Sequence, residues 1–333
     1  MKQMDCEALF EAFSQVKVGV IGDVMLDTYW WGHVERISPE APVPIVAVDK
    51  KEARIGGAGN VALNLVSLGA KATILSVIGE DEDGVLLKGL FQKKGIDIRY
   101  LQSDPHRCTT NKIRIISRNQ QMMRLDAEVA HDLNEDLAVD FIKRVETYLD
   151  NEDPQVIIFE DYNKGVLTSS VIEQVIALCK ARRILTTVDP KKKNFFSYQG
   201  VDIFKPNLKE VRDALQLSSD KVDLSYMQKI HDALQKQLKH HISFITLSER
   251  GVFFQGNQTG EMIPCHVRNI ADVSGAGDTV IAVASLVYAI TKDMRLMAEM
   301  ANLAGGLVCE EVGTAAIQKD RLFQECKLLH FPS

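Results

Sequence analysis

The sequence predicts an α/β protein of three layers. A mainly parallel central sheet is covered by helices on both faces, with two β excursions outside those layers. Three observations carry this. Apolar runs of strand length alternate with helical segments through short links, as where KATILSVIGEDEDG is followed by VLLKGLFQKKGI and stopped by Gly95, and such a βαβ rhythm requires a parallel sheet. Polar side chains gather at one strand end after another, as a ligand crevice along one sheet edge requires. Two stretches, about 28–53 and 109–126, break the rhythm with short alternating patterns of their own. The 333 residues are read as one domain with these two insertions.

Composition narrows the classes of function. The chain is 46% hydrophobic and 25% charged, as expected for a globular protein with a sizeable core. Its net charge of -6 gives no basic footprint for nucleic acid. No apolar run reaches membrane-spanning length, and the acidic start MKQMDCEALFEAF has no leader-like apolar segment, so a cytoplasmic protein is expected. The six cysteines, Cys6, Cys108, Cys179, Cys265, Cys309 and Cys326, are scattered and form no C-x-x-C pair. Free buried thiols are expected, rather than disulfides or a metal cluster.

Taken in order, residues 5–15 read as a short amphipathic helix. The run VKVGVIGDVMLD, Val16 to Asp27, is a first strand ending in Gly22-Asp23. Asp23 and Asp27 thus stand where ligand hydroxyls bind, although taken alone turn and capping roles explain them better. Residues 28–53 hold Trp30, Trp31 and three prolines, and read as β-strands outside the main sheet or as an irregular loop. Gly56-Gly57-Ala58-Gly59-Asn60 leads into a helix over Val61–Leu68, with Gly69 as its stop. The spacing Gly57-x-Gly59-x-x-Ala62 imitates a dinucleotide fingerprint, but that fingerprint follows the first strand directly, and here Val16–Ile21 ends without it. Two glycines before a helix can still wrap a small polar ligand, with Asn60 reaching a hydroxyl.

Thr109–Asp126 reads as a β-hairpin made basic by Lys112, Arg114, Arg118 and Arg124. It fits an anionic ligand group and ordinary solvated charge equally well. A helix near Asn134–Leu149 precedes the strand QVIIFEDYNKG, whose end carries Glu160, Asp161, Asn163 and Lys164. A helix over Ser169–Lys180 and the strand ILTTVDPKK follow, with Asp189 and Lys191 at its end. Asp202–Glu210 brings Asn207 and Glu210 to a strand–helix junction, and Ser243–Gly251 repeats the pattern with Thr246 and Ser248. Met297–Glu310 is a helix with Ala301, Ala304, Gly305 and Gly306, which suits a flat ring or tight helix packing. From Asp320 the chain reads as a short helical tail.

The stretch Asp272-Val273-Ser274-Gly275-Ala276-Gly277-Asp278-Thr279 organises the rest. The run from Val280 to Ile290 is apolar on all sides and reads as a buried helix. The glycine turn therefore lies at a helix N-terminus, where free N–H groups and the dipole attract an anion. An acid in an anion site has a reason if it takes a proton from a hydroxyl that attacks phosphorus.

Gly56-Gly57-Ala58-Gly59-Asn60 resembles the first signature of the ribokinase-like (PfkB) sugar kinases. Asp272 to Thr279 resembles the second, with Val273 where a threonine is common. The run Asp23–Pro44 with its ISPEAPVP core, TTNKIRIISRNQQMMRLD, Glu160–Gly165 and Asp189-Pro190-Lys191 resemble the branch acting on D-glycero-β-D-manno-heptose 7-phosphate. The resemblance implies a ribokinase-like fold whose small β lid is formed by the two insertions and makes a homodimer. It implies ATP-dependent phosphorylation of the anomeric O1, giving the 1,7-bisphosphate used for ADP-heptose and the lipopolysaccharide core. The bifunctional form of that branch carries an adenylyltransferase after the kinase, so this chain resembles a stand-alone kinase or a kinase half.

Asp278 would be the general base, with Gly275, Ala276 and Gly277 as the anion hole. Asp23, Asp27, Gly56, Gly57 and Asn60 would bind the sugar, with Lys112, Arg114, Asp161 and Lys164 near it and the basic groups as options for the 7-phosphate. Asn207, Leu208, Lys209, Glu210, Lys191, Thr246, Ser248, Gly251 and Asn302 would surround ATP. Mg²⁺ would sit near Glu210 through water, and K⁺ near Asp272. The rivals are a kinase for another sugar, a non-catalytic sensor that would not need Asp278, and an oxidoreductase resting on the misplaced glycines. A P-loop kinase lacks its G-x-x-x-x-G-K-[ST] here.

Overall fold

Side-chain alternation along the central strands builds the two faces of the sheet. The structure, a computed structural model, describes residues 5–328 apart from 119, 220, 258, 259 and 267. The chain begins with α1 (Cys6–Ala12), capped by the Asp5 carboxylate, and β1 (Lys17–Gly22). Next come β2 (Val24–Ile37), β3 (Pro44–Gly57), α2 (Ala58–Ser67), β4 (Lys71–Leu75), β5 (Val77–Gly79) and α3 (Glu82–Lys93). β6 (Gln102–Asp104), β7 (Thr110–Ser117), β8 (Gln120–Ala127), α4 (Glu135–Glu152), β9 (Val156–Glu160), α5 (Ser169–Arg182) and β10 (Leu185–Asp189) follow. The remainder is β11 (Ile203–Phe204), α6 (Leu208–Leu215), α7 (Leu224–Leu238), β12 (Ile242–Thr246), β13 (Val252–Gln255), β14 (Glu261–Ile263), α8 (Ala276–Thr291), α9 (Met294–Val308) and α10 (Lys319–Cys326).

The central sheet has eight strands in the order β14-β13-β12-β11-β10-β9-β1-β4. It is parallel from β4 to β12 and antiparallel at β13 and β14. In β9, Val156 and Ile158 pack into the core with α2, α8 and α9, while Ile157 and Phe159 pack into the core with α4, α5 and α7. That is the period of two expected of a strand buried on both faces. The three-layer architecture is the one the sequence implies.

Both insertions are β-structure. They join in one four-stranded sheet of order β3-β2-β7-β8, apart from the main layers. β2 and β3 are each 14 residues long and overrun the expected limits, because the chain needs no break between Asp23 and the lid. β3 runs through Gly57 directly into α2, which starts earlier than the apolar spacing suggests. The strand before that glycine turn thus belongs to the lid and not to the central sheet, the opposite of a dinucleotide site. The acidic stretch after β5 begins α3, with Asp81 as its N-cap and Glu82 and Asp83 in its first turn. Residues of the expected tail past Leu328 lie outside the described part.

The cysteine expectation is corrected. Cys6 and Cys326 form a disulfide across 320 residues, joining α1 to α10 where both pack on the α8–α9 layer. Spacing in the sequence cannot show that the two ends meet. Of the free thiols Cys179 is buried, Cys108 is exposed, and Cys265 and Cys309 are partly exposed. No helix among the described residues is long and apolar enough to cross a membrane.

Thiol titration of the unfolded, unreduced protein should therefore find four groups, and six after reduction. Cys6→Ser should lower the unfolding free energy in urea by roughly 2–5 kcal/mol, since the bond closes most of the chain into one loop. Six thiols before reduction would show that the bond does not form.

Candidate active site

The site is built on the N-terminus of α8. Gly275 is its N-cap, at φ +79°, a conformation that favours glycine. A Cβ there would also lie 2.8 Å from Asn60 Nδ2, so the residue is demanded by conformation and by space. Val280 to Val287 are buried around the helix, which holds it rigidly against the sheet. The Ala276 N–H is taken by the Val273 carbonyl at 3.3 Å, whereas the N–H groups of Gly277 and Asp278 find no acceptor among the described residues. Among the described residues the Gly275 N–H likewise has no acceptor, so the free donors are those of Gly275, Gly277 and Asp278, with Ala276 alone of the expected Gly275-Ala276-Gly277 trio taken up.

Asp278 lies in the first turn, 4% exposed. Its Oδ2 accepts from Asn60 Nδ2 at 2.7 Å and its Oδ1 from the Tyr162 hydroxyl at 2.8 Å. Asn60 comes from α2, after the first glycine turn, and Tyr162 from the loop after β9. Burial pushes the Asp278 carboxyl up to about 6, against the pull of the Asn60 and Tyr162 hydrogen bonds; Asp189 raises it further and Lys205 lowers it. Burial, then Asp278, Glu160 and Asp189, hold the Tyr162 phenol well above its usual range, so it is a neutral donor. Tyr162 was not singled out from the sequence, although it sits inside the polar EDYNKG stretch.

A chain of alternating charges lies beside this turn at the ends of β9 and β10. Lys205, also missed, is buried and lies 2.8 Å from Asp189, and Lys191 lies 3.6 Å from Asp189 and 2.7 Å from Glu210. Burial raises the Asp189 carboxyl, but Lys191 and Lys205 outweigh it and keep the group below its usual range. Glu160 is fully buried, and among the described residues neither of its carboxyl oxygens has a partner. Burial and the charges of Asp189 and Asp278 push it well above the usual carboxylate range. Asn207 and Glu210 form a reciprocal capping box at the start of α6, whose first residues are Leu208 and Lys209. Thr246 pairs with Asn207, and Ser248 (φ +56°) and Gly251 (φ +90°) form the turn that follows β12. Asn302 donates to the Pro264 carbonyl at 2.9 Å. The small-residue stripe of α9 packs tightly instead of offering a bare platform: Gly305 abuts Val280 and Gly306 abuts Arg268.

On the lid side, several residues stand otherwise than expected. Asp23 accepts the backbone N–H groups of Tyr162, Lys164 and Val166, so its buried carboxyl shapes the loop after β9. Asp161 accepts from Asn163 N and from the Tyr198 hydroxyl and is buried, which raises it to about 6. Asp27 pairs with Arg114 at 2.5 Å and accepts from Thr314 Oγ1 at 3.2 Å. Gly56 lies against that carboxylate, where a Cβ would collide with it, and Gly57 (φ +60°) turns the chain into α2. Lys112 and Lys164 both face Glu128. The basic character of the hairpin is thus largely matched within the chain. Asp272 takes the N–H and hydroxyl of Ser274 and the N–H of Gly313. Burial raises its carboxyl, but these donors outweigh that and hold it below its usual range.

Fold and site together define a sugar kinase of the three-layer α/β type, with an acid at the head of a buried helix and a β lid beside it. The model of the pfkB family carbohydrate kinases matches residues 15–321, and the chain belongs to that family. The bifunctional protein HldE of Geobacter sulfurreducens is 39% identical over 321 residues, covering 95% of this chain and 64% of that protein. The bifunctional protein HldE of Helicobacter hepaticus is 38% identical over 308 residues, covering 92% and 63%. The chain thus spans just under two thirds of the length of these relatives. Among solved structures, phosphofructokinase-2 from Escherichia coli in complex with potassium superimposes with a TM-score of 0.79 at 18% identity, over 94% of this chain and 99% of that one. Arabidopsis thaliana ribokinase complexed with ribose and ATP gives 0.71 at 15% identity, over 93% and 99%. At such identities the likeness shows the fold alone.

If Asp278 acts as a base, it works ionised, so kcat/KM for the sugar should rise with pH and level off above about 6. Tyr162→Phe removes a donor that favours the ionised form. It should move that acidic limb up by about one pH unit, the equivalent of one hydrogen bond to a charged group. A limb that stays in place in this variant would remove Tyr162 from the role.

Proposed function

We propose that the chain is an ATP-dependent kinase that phosphorylates O1 of D-glycero-β-D-manno-heptose 7-phosphate, giving the 1,7-bisphosphate. The observation that carries the reaction type is Asp278, buried at the head of α8 beside unpaired N–H groups and held by Asn60 and Tyr162. The acceptor is supported by the ISPEAPVP stretch, which here links β2 to β3, by TTNKIRIISRNQQMMRLD, which carries β7 and β8 of the same sheet, and by the similarity to the HldE proteins. The work belongs in the cytoplasm, where ATP is at hand.

In this reading Asp278 takes the proton of the anomeric hydroxyl as the oxygen attacks the γ-phosphorus, and the bond from that phosphorus to the leaving oxygen of ADP breaks. The N–H groups of Gly277 and Asp278, with the α8 dipole behind them, stabilise charge on the transferring group. Gly275 keeps space open beside Asn60. Gly56 and Gly57 shape the wall of the acceptor site, and Asn60, whose buried Oδ1 has no partner among the described residues, offers that atom to a hydroxyl. Lys191, Asn207 and Glu210, with Thr246, Ser248, Gly251 and Asn302, line the nucleotide side.

The donor set fits a magnesium–ATP complex. It pairs a carboxylate with a lysine at Lys191–Glu210 and leaves first-turn N–H groups free, and Glu210 would meet the metal through water. Bound Mg²⁺ supplies charge neutralisation on the phosphates. Asp272, ionised at the base of the turn, is the group a monovalent cation would approach. The lid exposes Ile37, Val43 and Val48 near β2 and β3, and Met122, Met123 and Leu125 on β8, an apolar surface suited to a second copy of the chain.

Incubation with ATP and a panel of sugars and sugar phosphates, with products identified by mass and phosphorus NMR, should give the 1,7-bisphosphate from heptose 7-phosphate. Turnover of another sugar in its place would overturn the assigned acceptor. Asp278→Asn should lower kcat by about 10²–10⁴-fold with ATP binding retained. Near-normal turnover would remove Asp278 as the base.

A further inference from the structure

On the lid side of the site two lysines share one carboxylate. Lys164 Nζ lies 2.7 Å from Glu128 Oε1, and Lys112 Nζ lies 3.8 Å from Glu128 Oε2. Both lysines are mostly shielded, with side chains 16% and 18% exposed, while Glu128 is 27% exposed. The neighbouring charges are engaged elsewhere. Arg114 holds Asp27. Asp126 stands opposite Lys112 in the β7–β8 register, but its carboxylate is gripped by Arg124 through two hydrogen bonds of 2.8 and 2.9 Å, so that this pair adds no net charge. Arg107 donates to the carbonyls of His131 and Lys164. The trio of Lys112, Lys164 and Glu128 is therefore left with one positive charge in excess.

The trio is tied to the reacting end of the site. The Lys164 N–H and the Tyr162 N–H both donate to Asp23, and the Tyr162 hydroxyl donates to Asp278. Two residues of chain separate their Cα atoms by at most ~7 Å, so one small molecule can meet both side chains. Lys112 stands opposite Asp27 in the β2–β7 register, on the lid strand that carries Arg114. Glu128 sits just beyond β8, on the link to α4 and not within a strand.

We propose that Glu128 is a displaceable counter-ion that reserves the Lys112–Lys164 pair for a phosphate on the acceptor sugar. This rests on the kinase reading above. Two ammonium groups are under-neutralised by one carboxylate. They are matched by a phosphate monoester, which carries about 1.5–2 negative charges at neutral pH and offers three acceptor oxygens. An incoming sugar phosphate takes over both lysines while Glu128 turns to solvent. A neutral sugar has nothing with which to displace Glu128, so the same residue that is replaced by the right substrate disfavours the wrong one. Arg114 is excluded from this role by its commitment to Asp27.

The sign of one substitution tests this. E128Q should lower KM for the sugar phosphate about fivefold, because a competing carboxylate is gone, whereas K164M should raise it tenfold or more. Both effects should fall on KM for that substrate and not on KM for ATP. Were Glu128 a structural partner that positions Lys164, E128Q would weaken the site as K164M does. A KM in E128Q equal to or above that of the wild type overturns the proposal. Calorimetric titration of the ATP-free protein with inorganic phosphate gives a readout independent of the sugar. Binding should strengthen in E128Q and weaken in K112M and K164M. That order, found together with no turnover of heptose 7-phosphate, leaves the subsite standing while the substrate assignment falls. Equal phosphate binding in E128Q, the wild type and K164M overturns the subsite whatever the turnover.

Discussion

A buried carboxylate at the start of a buried helix is the constraint on which the rest depends. An ionised Asp278 with its surroundings removed from water would be costly, and isolation would simply leave it protonated. Two donors from distant parts of the chain, Asn60 and Tyr162, keep the ionised form within reach, and the positive end of α8 adds to them. Each donor is itself held. Asn60 begins a helix that can start only where β3 turns at Gly57. Tyr162 stands on a loop fixed by three backbone N–H bonds to Asp23. Lid, helix and sheet edge therefore converge on one group.

The segment after α9 couples that group to the lid. Gly313 donates to Asp272 at the base of the glycine turn, and Thr314 donates to Asp27 in β2. Arg54 of β3 donates to the carbonyls of Val312 and Thr314. Asn64 receives both the Thr279 hydroxyl of α8 and the Ile317 N–H. A lid strand cannot shift without disturbing bonds that end on the first turn of α8. On the proposed reading this would link acceptor binding to the placement of Asp278, and so keep water from the phosphoryl group until the acceptor is in place.

Elements built from local pattern were legible in the sequence. The helix Val280–Ile290, its glycine start, the βαβ rhythm and both lid insertions follow from period, turn chemistry and capping, which act over a few residues. What the sequence concealed depends on which side chain meets which across the chain. Asp23 and Asp161 look like ligand groups at strand ends, yet the backbone of the 162–166 loop and Tyr198 take them up. The basic hairpin reads as four free charges, yet Arg114 is committed to Asp27, and Glu128 stands against Lys112 and, from the 161–165 loop, Lys164. Tyr162 and Lys205 gave no signal because a tyrosine or lysine past a strand is ordinary, and only the partner makes it otherwise. The bond between Cys6 and Cys326 spans 320 residues and leaves no trace in spacing.

The charge arrangement behind the turn explains why Asp278 is the group that titrates. Glu160, Asp189 and Asp278 crowd the ends of neighbouring strands, and three carboxylates together could not all stay ionised in a buried place. Asp189 has Lys205 and Lys191 beside it and stays ionised. Glu160 has no partner among the described residues, and its burial and the neighbouring carboxylates favour its protonated form. Asp278 lies between these extremes. Burial lifts it while the two neutral donors restrain it first and the charge of Lys205 only after them, and it settles at about 6. A lysine against Asp278 would hold it too acidic to take a proton readily, and no donor at all would leave it protonated. Asparagine and tyrosine hold the carboxylate without neutralising it, which leaves its proton affinity near neutral pH, the range a general base for the proposed reaction would need.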